Sequence, residues 1–152
     1  MKLAEALQER AELQKAISLL EERLENNATV QEGEKTAEDP NDLLAELDKA
    51  IERLEYVTTK INITNSLVKA EGLTLTEIIS RKDCLMKKAN VMLRLIRAAS
   101  RATARATRTE IKILRTVNVA DIQKKSDAMA IEIRRLNTLL QQTNWTADLI
   151  EN

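Results

Sequence analysis

Histidine and phenylalanine are absent from this chain, and cysteine, proline, tryptophan and tyrosine occur once each. Each shortage closes something off. Without histidine, the commonest acid–base group and metal ligand is missing. Cys84 alone forms no intrachain disulfide, and with no histidine to activate it a thiol enzyme is not expected. Glycine occurs only at Gly33 and Gly72, so there is no glycine-rich loop to cradle a phosphate. No apolar run approaches the roughly 18 residues of a membrane span. The core must be Leu, Ile, Val, Ala and Met, which suits helices meeting along seams, and so few breaks favour long helices.

Charged residues make up 32% of the chain, with 24 cations balancing 24 anions. The balance hides an asymmetry. Residues 1–77 hold 17 acidic and 9 basic side chains, and residues 78–152 hold 7 acidic and 15 basic, a polarity of −8 against +8. That pattern favours self-association over general nucleic-acid binding. Glu5 and Glu9 interrupt the stretch where an export signal would be apolar, so a cytoplasmic protein is expected. The sequons at Asn27, Asn62 and Asn144 then read as chance.

The chain reads as a single helical domain over 1–152. Helix 1 spans about 2–26, with a seam of Leu3, Ala6, Arg10, Leu13, Ile17, Leu20 and Leu24 in alternating steps of three and four. A polar loop covers 27–39. Asp39 caps helix 2, with Pro40 at its first position. That helix is expected over 41–71, with a seam of Leu44, Leu47, Ile51, Leu54, Thr58, Ile61, Asn65 and Val68 and a stop at Gly72. Thr74 and Glu77 form a capping box for helix 3, over 75–107. So short a link predicts an antiparallel hairpin of helices 2 and 3 as the spine, with helices 1 and 4 along it. Residues 109–117 alternate in strand fashion around Ile111 and Ile113 and could pair with the piece near Val30, or a helix could run through them. Asn118 caps helix 4, over 119–142, whose seam is Ile122, Ser126, Met129, Ile133, Leu136 and Leu140. Trp145, Leu149 and Ile150 in the tail 144–152 are expected to dock.

Chemistry is sparse. Same-face carboxylate pairs, such as Glu21 with Glu25 or Asp48 with Glu52, read as solvated, since a di-metal bundle also wants Glu-x-x-His. No cofactor, metal or small-molecule substrate is expected. Cys84, beside the apolar face of helix 3, reads as a buried or half-buried structural thiol. The polar seam residues Arg10, Thr58, Asn65 and Ser126 either fix register or sit at the bundle edge.

The main functional signal is a basic stripe on helix 3: Lys87, Arg94, Arg97, Arg101, Arg105 and Arg108. At about 100° per residue these six fall within roughly 80° of arc, opposite Ile78, Leu85, Ala89, Met92, Ile96 and Ala99. Three readings stand side by side. The stripe is a solvated or internally paired face; or it meets another subunit's acidic surface, such as Asp48, Glu52 and Glu55 or Glu5, Glu9 and Glu12; or it tracks a polyanion, nucleic acid or anionic lipid. The last lacks aromatic interleaving and any recognisable binding motif.

Several segments together resemble a known family. They are Met1–Leu7, Asn26–Glu34, Glu38-Asp39-Pro40, Ile61–Asn65, Leu75-Thr76-Glu77, Glu110-Ile111-Lys112 and Asn144–Ile150. In combination they are similar to small, uncharacterised helical bacterial proteins often labelled septicolysin, over essentially the whole chain. The resemblance implies no catalytic residues, and the label implies a cytolysin. It also draws interest to Val30, Ile111 and Ile113, whose segments packing periodicity does not dictate, as a β pairing or an intersubunit contact. The residues themselves show no strongly apolar amphipathic helix to support lysis.

The expectation is therefore an all-α protein with a long antiparallel helical hairpin in a four-helix-bundle, coiled-coil-like arrangement, with a small two-stranded β element left open as an option. It is a non-enzymatic, cytoplasmic homo-oligomer acting as a structural or interaction module. Polyanion binding through the basic stripe is the alternative, and lysis ranks behind both.

Overall fold

A computed structural model describes residues 1–105 and 111–152; side chains at 102–105 also lie outside the description. The fold is all-α: α1 (Leu3–Asn26), α2 (Pro40–Leu67), α3 (Leu75–Arg105) and α4 (Val119–Thr146), with a two-stranded sheet of β1 (Lys69–Ala70) and β2 (Leu73–Thr74). The chain divides into two compact units, Met1–Lys69 with Thr143–Asn152, and Ala70–Gln142.

The helix starts follow from local hydrogen bonds. The Asp39 carboxylate accepts from the Asn41 amide at 2.9 Å, and Pro40 follows at a position with no donor to lose. Before α3, the Thr74 amide donates to Glu77 Oε2 at 2.7 Å and the Glu77 amide donates back to Thr74 Oγ1 at 3.2 Å, which is the expected reciprocal box. Asn118 Oδ1 accepts from the Asp121 amide at 3.2 Å ahead of α4.

In the first unit α1 and α2 run antiparallel. Arg53 Nε meets Glu9 Oε1 at 2.6 Å toward one end, and Arg23 pairs with Glu38 and Glu46 toward the other. Leu3, Ala6 and Leu20 of α1 are buried, as are Leu43, Val57, Ile61 and Thr64 of α2. The α2 seam thus differs from the expected one. Leu47, Leu54, Ile61 and Val68 are shared, but Leu43, Val57 and Thr64 replace Leu44, Thr58 and Asn65. Moving every other seam position by one residue turns the face by about 50°, leaving Leu44 and Ile51 exposed.

The tail closes this unit. The Leu3 amide donates to the Ala147 carbonyl at 3.0 Å and the Leu149 amide to the Met1 carbonyl at 2.9 Å, around an antiparallel bridge of Lys2 with Asp148. Lys2 Nζ lies 2.8 Å from the Asp148 carboxylate. Leu149 is buried as expected, whereas Trp145 stays 64% exposed and does not dock. Buried Thr64 explains its place in the seam. Its hydroxyl donates to the Lys60 carbonyl at 2.8 Å and accepts from the Ile150 amide at 2.9 Å, satisfying a tail donor that burial would otherwise strand.

The link from α2 to α3 is also corrected. α2 stops at Leu67, and Gly72 is not a helix cap. Glu71 and Gly72 have φ of 52° and 82°, the double positive φ of the tight turn that joins two-residue strands. The small sheet therefore lies at 69–74. Val30 and 111–115 carry no strand, and 109 and 110 lie outside the described residues.

In the second unit α3 and α4 are antiparallel. Arg135 pairs with Glu71 at 2.7 Å near the start of α3, and Arg115 donates to the Ala99 carbonyl at 3.4 Å further along. The expected seam positions Leu85, Ala89, Met92, Ile96 and Ala99 of α3 and Ile122, Ser126, Met129 and Ile133 of α4 are half-buried. Full burial is confined to Leu75, Ile78, Leu136 and Leu140 among the described residues of this unit.

Candidate functional site

The capping box fixes where α3 begins, and the helical period then fixes which way its cations point. Lys87, Arg94, Arg97 and Arg101 are all exposed on α3. Arg105 ends the helix with its side chain undescribed, and Arg108 lies outside the described residues. None of the four described cations forms an ion pair with another described residue. Arg97 and Arg101 flank a surface depression they share with Ile96 and Ser100.

Other cations behave differently. Arg135 bridges Glu71 and Glu132, and those hydrogen bonds raise its pKa further and hold the Glu132 carboxyl below the usual carboxylate range. Arg53 does the same for Glu9, Arg23 for Glu38 and Lys2 for Asp148, the hydrogen bond being the leading cause each time. The stripe is thus a row of cations outside these internal pairs.

Apolar side chains flank it. Met86, Val91, Leu93 and Leu95 are 46%, 66%, 40% and 40% exposed, on both sides of the half-buried seam. In its own unit α3 has one helical companion, α4. Cys84, expected to be at least half-buried, is an exposed free thiol. Val30, Ile111 and Ile113 are exposed, at 49%, 81% and 43%, and none lies in a strand.

The loop between α1 and α2 holds a residue whose role was missed. Asn27 is buried, donates from Nδ2 to the Arg23 carbonyl at 2.8 Å and accepts the Glu38 amide at 3.0 Å. It ends α1 and pins the far end of the loop. An asparagine directly after an apolar helical run was the available signal.

Among the described residues no group of three or more Cys, Asp or Glu side chains is placed to hold a metal ion, and no helix is long and apolar enough to cross a membrane. Fold and surface together define an all-α helical-bundle protein with a cationic, partly apolar helix face. Residues 10–149 match the model of a family of unknown function, DUF6847, and the chain belongs to that family. It is similar to a solved structure described as a functionally unknown conserved protein from Corynebacterium diphtheriae, at 38% identity over 99% of both chains with a TM-score of 0.91. No curated protein matches the chain. Neither the family nor that structure carries the septicolysin label.

Proposed function

We propose that this protein is a non-enzymatic, cytoplasmic, self-assembling helical module that acts as a structural or interaction element. One observation carries the reading. α3 exposes Met86, Val91, Leu93 and Leu95 beside cations that form no ion pair among the described residues, a combination suited to cover by another protein surface. Charge agrees with it. The first unit holds 17 acidic and 9 basic residues, and the second holds 7 acidic and 15 basic, so copies present opposite charges to one another. The exposed lone thiol of Cys84 suits a reducing compartment.

Native mass by light scattering, at low and high salt, tests this. A discrete oligomer is expected. A monomer at both salts, up to about 100 μM where weak interfaces still populate, overturns it.

A second reading has its own support in the exposed row of Lys87, Arg94, Arg97 and Arg101, which span about 21 Å of helix. That row offers a polyanion a linear set of phosphate contacts. Titration with nucleic acid, and separately with anionic vesicles, is expected to show binding that falls steeply with salt if this reading holds. Salt-independent or absent binding removes it.

A further inference from the structure

Two largely exposed helix flanks of this chain match each other in length and spacing and carry opposite charge. On α3, Cys84, Lys88, Val91, Leu95 and Ala98 follow steps of four, three, four and three, and all five are exposed. This is a second heptad line, one residue before the half-buried seam at every position and so rotated from it by about 100°. On α2, Leu44, Asp48, Ile51, Glu55 and Thr58 follow the same steps, with Leu44 and Ile51 exposed at 48% and 45%. Both lines run about 21 Å along their helices.

Their charges are opposite. Residues 84–98 contain no acidic side chain, and Lys88 interrupts their apolar line, with Lys87 and Arg94 at its margin. The α2 line is interrupted by Asp48 and Glu55, with Glu52 at its margin. The cations near α2 point elsewhere, and Arg53 is held by Glu9. Lys88, Arg94, Asp48 and Glu55 form no ion pair among the described residues.

We propose that a second copy of this chain covers α3: the Leu44–Thr58 flank of α2 in one copy lies against the Cys84–Ala98 flank of α3 in the other. This rests on the assembly reading above and names its interface. Apolar residues supply the buried strip, Val91 and Leu95 at successive positions of the α3 line against Leu44 and Ile51 at alternate positions of the α2 line. The intervening charges select the partner. Pairing α3 with α3 sets Lys88 and Arg94 against their own kind, and pairing α2 with α2 does so for Asp48 and Glu55, so only the unlike combination is attractive.

Charge reversal tests it on the full chain. In native-mass measurements over a concentration series, Lys88→Glu with Arg94→Glu is expected to raise the dissociation constant at least tenfold. Asp48→Lys with Glu55→Lys is expected to do the same, and the chain carrying all four changes is expected to reassociate to within about threefold of the native protein. Circular dichroism and urea unfolding on each variant establish that a loss of mass is not a loss of fold, since all four side chains are exposed. An oligomer unmoved by either reversal overturns the interface and leaves the assembly reading standing. Loss of association with one reversal alone, or no recovery in the fourfold variant, overturns the pairing of these two flanks. A native chain that is monomeric throughout overturns both readings.

Discussion

The two helix pairs, α1–α2 and α3–α4, are built from similar heptad material and reach different degrees of closure. The first is joined by a third element, the tail at 147–150, which makes backbone hydrogen bonds with Leu3 and Met1 and donates one to the Thr64 hydroxyl. Its buried residues are spread from Leu3 and Leu43 to Ile61 and Leu149. In the second unit, nothing between Ile78 and Leu136 is fully buried among the described residues. Two helices alone shield only the line where they meet, and the flanks of that line stay wet. A third surface is what converts half-buried seams into a core. In the first unit the chain supplies that surface itself. For α3 we assign it to another copy.

Experiments that separate the two pairs begin with the largest effect. Ile61→Ala removes a fully buried side chain and is expected to cost about 2–5 kcal/mol in urea unfolding. Ile96→Ala, at a half-buried seam position, is expected to cost about 1 kcal/mol. Equal costs would erase the contrast between the units. Thr64→Val keeps the volume but strands the Ile150 amide, and about 1–3 kcal/mol is expected, together with faster hydrogen exchange at Leu149 and Ile150. A tail that keeps its protection would show that the docking does not depend on this hydroxyl. Asn27→Ala is expected to lose about 1 kcal/mol, with exchange rising at Glu38, whose amide loses its acceptor.

The smallest effect is electrostatic. The carboxyls of Glu9, Glu38 and Asp148 all titrate below their ordinary values because cations hydrogen-bond them. A depressed folded-state pKa stabilises the fold above the unfolded value, about 4, and that stabilisation is lost as pH falls through the folded value. Glu9→Gln is expected to cost about 0.5 kcal/mol at pH 7, since Arg53 is partly exposed. The difference from the native chain should shrink as pH falls through the folded value and vanish below it. A difference that persists in acid would assign the effect to packing.

Cys84 and the α2 seam show where local reading stops. The sequence placed Cys84 beside the apolar face of helix 3, and there it lies, but whether a neighbour covers that edge is not a property of α3. In α2, Leu44, Ile51, Thr58 and Asn65 make as good a heptad line as Leu43, Ala50, Val57 and Thr64, because both borrow Leu47, Leu54, Ile61 and Val68. The basic stripe was legible because helical phase alone aims Lys87, Arg94, Arg97 and Arg101 outward. The exposed apolar residues around it were not, since exposure depends on how many companions the helix has.

What the amino-acid sequence determined by itself is the set of four helices and their starts. Asp39 with Pro40, Thr74 with Glu77, and Asn118 with Asp121 act over two or three residues, and such hydrogen bonds form wherever the chain ends up. Tertiary structure alone decided which seam of α2 is buried, that the 68–74 link is a strand hairpin, and that the tail bonds to Thr64 and the first residues. Those outcomes depend on groups up to 148 residues apart in sequence, such as the Met1 carbonyl and the Leu149 amide. Burial is a property of the surface that arrives, and no local pattern contains it.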